Sequence, residues 1–235
     1  MKLSIVFVSL FCISLSVQAS LHGALQRFPV KDKPLYPLSA VGLVENFCSG
    51  TLIAPNKVLT AAHCLYDIET DQYMPVKTFH LGQNGISHLG QSIKVASIKP
   101  HPIYVATGLP AFDVGIITLE RSVSEFVVPV VADTMSGWDL NSETLAYERI
   151  SVIAGYPGDQ LLGNMWYVAC LLEKNIQNLS RTYYNCDTFG GMSGSALIVY
   201  NQSGPQIIGV HTNGGAEKNF GVLIFPELLE FIKSN

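Results

Sequence analysis

Charge is scarce in this chain. Only 14% of its 235 residues are Asp, Glu, Lys or Arg, and the formal net charge is -4. Without a basic stripe the composition excludes an electrostatic nucleic-acid binder, and an acidic balance this mild names no partner. Beyond the first twenty residues no apolar run is long enough to cross a bilayer. Neither CxxC nor HExxH spacing occurs, which removes the usual zinc patterns, and there is no EF-hand-like calcium loop. No metal or cofactor is expected. Internal repeats, low-complexity tracts and charge blocks are also missing, so solenoids and long disordered tails are excluded. Long helical periodicity is lacking except at the C-terminal end.

What is present begins with an export signal. Lys2 forms a short positive region, Leu3 to Val17 an apolar run, and Val17-Gln18-Ala19 a cleavage-like site. Residues 1–19 are therefore expected to be removed. The mature protein is expected to be secreted, extracellular or periplasmic, with no membrane attachment. Loss of Cys12 with the signal leaves Cys48, Cys64, Cys170 and Cys186. An even number in an oxidising compartment suggests two disulfides. Three pairings are possible, and the sequence-local one, Cys48–Cys64 with Cys170–Cys186, is expected.

Short β-rich runs punctuated by Gly, Pro, Asn and Asp recur along the chain. They include Ala40–Val44, Gly50–Ile53, Lys57–Thr60, Ser92–Ile98, Val114–Leu119, Ile150–Ala154, Ala196–Tyr200, Ile207–His211 and Val222–Phe225. Many short strands at this spacing argue for an all-β barrel or sandwich. Only the segment from Pro226 to Lys233 reads as a short amphipathic helix, with Pro at a permitted first position. A polar stretch from Ser136 to Ser142 divides the chain into halves, 20–135 and 136–235.

Three local motifs carry chemistry. In Leu59-Thr60-Ala61-Ala62-His63-Cys64 a strand ends in two small residues before a histidine, and the adjacent Cys can tether that turn. A general base must not wander, so a staple beside it is physically sensible. In Gly190-Gly191-Met192-Ser193-Gly194-Ser195 the glycines permit unusual backbone angles and can aim N–H groups at one point, as an oxyanion hole requires. In Ala111-Phe112-Asp113-Val114 an acid lies among apolar residues, where burial is costly unless a hydrogen-bond donor meets it. A histidine N–H is such a donor. Alone, each has a bland reading: a packed histidine, a glycine-rich turn, a strand-edge carboxylate. Chain order discriminates. His…Asp…Ser is the chymotrypsin order, whereas α/β-hydrolases run Ser…Asp…His.

With these motifs, Cys48-Ser49-Gly50-Thr51-Leu52-Ile53, Ala154-Gly155-Tyr156-Pro157-Gly158-Asp159, Asp187-Thr188-Phe189 and Val210-His211-Thr212-Asn213-Gly214, the chain resembles the chymotrypsin-like serine peptidases, and within them the glutamyl endopeptidase branch. The resemblance implies two perpendicular six-stranded antiparallel β-barrels with the active site between them and the terminal helix on the second. It assigns His63, Asp113 and Ser193 as the triad, and the N–H groups of Gly191 and Ser193 as the oxyanion hole. It assigns Thr188, His211 and Thr212 to substrate binding, which implies cleavage of proteins or peptides after Glu or Asp. The competing expectations are cleavage after Arg or Lys through Asp187, and an inactive homologue acting as a binding protein. Trypsin-type zymogens carry Asp where Met192 stands, so their activating ion pair is not expected here. The matching N-terminal stretch, Leu21-His22-Gly23, follows the signal directly, so signal cleavage, or trimming of Ser20 alone, is expected to yield enzyme. A monomer is expected.

Overall fold

The computed structural model describes residues 26–45, 47–86, 88–124, 126–128, 139–141, 146–174, 180–215 and 218–235. The expected signal peptide, the Leu21-His22-Gly23 stretch and most of the polar divide lie outside them. A short arm, β1 (Phe28–Pro29), leads into strands β2 (Val41–Val44), β3 (Cys48–Ala54) and β4 (Lys57–Thr60). A small hairpin, β5 (Tyr66–Asp67) and β6 (Gln72–Tyr73), precedes β7 (Thr78–Leu81), β8 (Gln91–Pro100), helix α1 (Pro102–Thr107) and β9 (Gly115–Leu119). Hydrogen bonding in the order β2-β3-β4-β9-β8-β7 closes a six-stranded antiparallel barrel.

The second half contains β10 (Asp139–Asn141), β11 (Ala146–Gly155), β12 (Trp166–Lys174), β13 (Arg181–Tyr184), β14 (Ala196–Asn201), β15 (Gly204–Gly214), β16 (Asn219–Leu223) and helix α2 (Pro226–Ser234). Pairing of β11 with β12 closes six of these strands into a second barrel, with β1 added beside β12 and β10 beside β11. The expected two-barrel, all-β architecture is therefore the observed one. Strands β1, β5, β6, β7, β10, β12 and β13 and helix α1 are additions to the runs that the sequence pattern names.

Burial explains the closure. Leu52, Val58, Phe79, Ile93 and Ile117 fill the first barrel and continue into the buried face of β14 to β16. Ile153, Val168, Leu172, Leu197 and Ile208 fill the second. β-branched and aromatic residues suit such pleated, packed surfaces. A smaller cluster of Val41, Leu43, Ala154, Tyr156 and Met165 joins β2 to β11. Helix α2 begins at Pro226 and buries Leu228, Phe231 and Ile232. It packs across both barrels rather than on the second alone. Phe231 lies 4.6 Å from the His101 ring of the first barrel, centroid to centroid, and Asn235 is hydrogen-bonded to Lys99. Disulfides join Cys48 to Cys64 and Cys170 to Cys186. Each closes a short loop, for which about 2–4 kcal/mol of stabilisation is typical.

Candidate active site

Strand pairing brings His63 and Asp113 together. Thr60, the last residue of β4, lies opposite Gly115, the first of β9. His63 follows one strand end by three residues and Asp113 precedes the other by two, so both emerge at the same edge of the first barrel. Ala61 and Ala62 are fully buried, which lets the turn carrying His63 sit close against its surroundings. The carboxylate then binds the histidine twice. Asp113 Oδ1 accepts from the His63 backbone N–H at 2.9 Å, and Oδ2 lies 2.8 Å from Nδ1. Asp113 is buried. A carboxylate only accepts, so Nδ1 carries the proton and Nε2 is left bare as a base.

Burial opposes protonation of His63, but the Asp113 charge and hydrogen bond together outweigh it and raise its pKa above the ordinary 6.5. The ring still keeps 32% of its side-chain surface exposed, so a substrate proton can reach it. Activity that needs neutral His63 is expected to fall as pH drops through a pKa above 6.5, because protonation then precedes that of a free imidazole. A kcat/KM–pH profile with its acid limb centred below 6 would contradict this.

The segment with Ser193 belongs to the second barrel but is held against the first. Ser49 N–H donates to Ser193 O at 2.8 Å. Gly194 has a left-handed φ of 86°, and a Cβ there would lie 2.2 Å from both Ser49 O and Thr60 Oγ1. Only glycine permits this approach, which sets Ser193 beside the turn that leads to His63. The Ser193 carbonyl lies 3.7 Å from Cys64 Sγ. The Ser193 hydroxyl makes no hydrogen bond to His63 among the described residues. Catalytic hydrogen bonds are often long before substrate binds.

The backbone of this segment leaves two donors unclaimed. Met192, Gly194 and Ser195 N–H groups donate to Phe189 O, His211 O and Met192 O. Those of Gly191 and Ser193 have no protein acceptor among the described residues. Their directions are set from behind. In a trans peptide the N–H points opposite the C=O. Gly190 O accepts from Gly158 N–H at 2.7 Å, and Met192 O from Ser195 N–H at 3.0 Å. The Gly191 and Ser193 N–H groups therefore point away from those partners. Gly191 holds a φ of 98°, which its lack of a Cβ allows. Met192 is fully buried in the second barrel core, so the loop is anchored there by packing rather than by a charged residue.

Next to this loop, Thr188, His211 and Thr212 are all buried. His211 N–H donates to Ser195 O, and its Nδ1 lies 2.5 Å from the Tyr184 hydroxyl. Either group can donate in this bond; where the hydroxyl donates to Nδ1, the His211 proton resides on Nε2. Burial, the nearby His63 and, in opposition, the Phe220 carbonyl combine to lower the His211 pKa to about 3. His211 is thus neutral at working pH and offers a dipole, not a charge. The positive charge in this region comes from a residue that the motifs do not reveal. Arg27 Nε donates to Asp187 Oδ2 at 3.0 Å, and its other nitrogens bind Asp159 at 2.7 and 2.8 Å. The Arg27 side chain is only 6% exposed. A second oxygen of Asp187, Oδ1, is buried without a partner among the described residues.

Donor atoms of Cys48, His63 and Cys64 lie within 4.8 Å of one another, but both sulfurs are consumed in a disulfide. No helix among the described residues is long and apolar enough to cross a membrane.

Comparison with known proteins gives concordant results. The family model described as Trypsin matches residues 31–225. A glutamyl endopeptidase of Bacillus licheniformis is 29% identical over 229 residues, covering 90% of this chain and 67% of the relative. A trypsin of Saccharopolyspora erythraea is 33% identical over 126 residues, 48% of this chain and 53% of that protein. A solved structure of a Glu endopeptidase in complex with MPD superimposes with a TM-score of 0.78 at 25% identity, covering 91% of this chain and 98% of that one.

Proposed function

The chain belongs to the trypsin family of serine endopeptidases, and from that premise we propose that it is secreted, acts as a monomer, and cuts protein or peptide substrates after glutamate, with aspartate second. Ser193 attacks the scissile carbonyl. His63 takes the proton through Nε2 and later returns it to the leaving amine, while Asp113 holds the tautomer and stabilises the imidazolium. The N–H groups of Gly191 and Ser193 receive the oxyanion of the tetrahedral intermediate. Water then releases the acyl group by the same route. No cofactor takes part in these steps.

The observation that carries the acidic preference is the pairing of Asp187 with Arg27. In the competing reading Asp187 binds a lysine or arginine side chain of the substrate. That reading requires the carboxylate to be free. Here one of its oxygens already binds a buried guanidinium that is shared with Asp159. Admitting a second cation would place like charges together in a poorly solvated pocket. Thr188 and neutral His211 supply donors suited to a carboxylate, since a hydroxyl and an imidazole N–H both donate. The likeness to glutamyl endopeptidases in sequence and in structure points the same way.

Digestion of a peptide library tests the reading directly. The expected outcome is cleavage concentrated on the carboxyl side of Glu, with weaker cleavage after Asp. Dominant cleavage after Arg or Lys would return Asp187 to the role of specificity residue and overturn the acidic preference.

A further inference from the structure

The residue whose bonding the mechanism leaves unexplained is Ser49. It lies on β3 of the first barrel and is completely buried. Yet it is polar, and its hydrogen bonds reach across to the second barrel. Its N–H donates to Ser193 O at 2.8 Å. Its Oγ donates to Gly191 O at 2.8 Å and accepts from Tyr156 N–H at 2.9 Å. Its own carbonyl accepts from Thr60 Oγ1 at 2.8 Å. A buried serine with each polar group engaged is costly to assemble and specific in what it holds.

What it holds are the two residues with unclaimed N–H groups. Each such residue is flanked by two peptide planes. The plane before Gly191 is fixed through Gly158, and the plane before Ser193 through Ser195. The plane after each is held at both edges: Ser49 binds the Gly191 and Ser193 carbonyls, while the Met192 and Gly194 N–H groups donate to Phe189 O and His211 O. Both α-carbons are therefore pinned on both sides. At Ser193 the Ser49 contribution is a backbone bond that any residue could make. At Gly191 it is the hydroxyl, and it restrains the second of two consecutive glycines, where backbone freedom is greatest.

We propose that Ser49 is a positioning residue for the oxyanion site: its hydroxyl, reaching from the first barrel, holds the Gly191 backbone so that the Gly191 and Ser193 N–H groups converge. The tie through Tyr156 N–H fixes the hydroxyl itself, so its one proton is directed at Gly191 O. The inference rests on the enzymatic reading above and does not depend on which residue is cleaved after.

The test compares wild type, Ser49→Ala and Ser49→Thr on a peptide amide substrate. Rates are expressed per active site titrated with a fluorophosphonate, so that unfolded material drops out. Inhibition by a peptidyl trifluoromethyl ketone, which forms a tetrahedral adduct, is measured beside inhibition by the matching product acid. In Ser49→Ala, kcat per titrated site is expected to fall about 10- to 100-fold, somewhat less than loss of a whole oxyanion donor costs. KM and product-acid affinity should stay within about twofold, because ground-state binding does not use these donors. Ketone affinity should fall in parallel with kcat, and Ser49→Thr should recover most of both.

A purely structural role gives a different pattern: a lower melting temperature and fewer titratable sites, with kcat per site unchanged. That result would overturn the proposal, as would a fall in kcat with ketone affinity intact. If Ser49→Ala yields too little folded protein, Ser49→Gly is measured in the same way and the same outcomes apply. A wild type inert to both probe and substrate would instead overturn the enzymatic reading, and this inference with it. Turnover by wild type that Ser49→Ala matches removes only the role of Ser49.

Discussion

Replacing Ser193 with alanine is expected to lower kcat by about 10⁶-fold, the scale seen when a serine peptidase loses its nucleophile. The fold should be unaffected. The Ser193 hydroxyl has no hydrogen-bond partner among the described residues, and the segment is held by backbone bonds that alanine retains. Residual catalysis of about 10³- to 10⁴-fold over water should persist, because the Gly191 and Ser193 N–H groups and substrate binding remain. The measurement is turnover of a peptide substrate, with a fluorophosphonate probe as a second readout. Wild type should be labelled and Ser193→Ala should not. A folded variant with full activity, or one still labelled, would remove Ser193 from the chemistry and leave a binding protein as the better account.

Asp113→Asn is expected to cost about 10⁴-fold in kcat, the effect of a wrong histidine tautomer. The geometry here leaves little freedom for escape. The His63 backbone N–H needs an acceptor and finds Asp113 Oδ1. An asparagine must therefore turn its single oxygen toward that N–H. Its NH₂ group then faces Nδ1, in the place of Oδ2. To accept from it, Nδ1 must be bare, which moves the imidazole proton to Nε2 and leaves no base facing Ser193. The raised His63 pKa should fall as well, since the Asp113 charge and hydrogen bond are what raise it. The residual activity should thus have its acid limb at lower pH than wild type. An Asp113→Asn enzyme with unchanged kcat would show that His63 is oriented by something else.

The candidate site residues that the sequence offers are those whose chemistry sits in a local motif. His63, Asp113 and Ser193 each stand in a short context of small or apolar residues, and their chain order separates one hydrolase fold from another. The cysteine pairing was legible because an even count after the expected signal left three choices, of which the structure forms the sequence-local one. Strands such as Val114–Leu119 announce themselves by β-branched runs. Strand β12 (Trp166–Lys174) does not, for it buries Val168, Cys170, Leu172 and Lys174 and exposes Ala169 and Leu171, so polarity does not follow burial. Helix α1 is only six residues long, too short for periodicity to emerge. The charge arrangement behind the site was illegible for another reason. Arg27 lies 160 residues from Asp187 and 132 from Asp159, and no local pattern marks an arginine whose partners are created only by folding. Ser49 sits inside a recognisable motif, yet its role depends on what the opposite barrel places above it.

The docking of Arg27 also sets an inner limit on maturation. The arm that carries it is tied down next by Phe28 and Pro29, which pair with β12. Trimming that stops upstream of Arg27 leaves the clasp closed. Trimming that removes Arg27 strands the Asp159 and Asp187 carboxylates, the latter with an oxygen already buried and without a partner among the described residues. Like charges so placed repel or take up protons. Exopeptidases shortening the chain from its N-terminus would therefore meet an energetic stop rather than a sequence signal, and the guanidinium would serve as the ratchet tooth that holds the N-terminus in register.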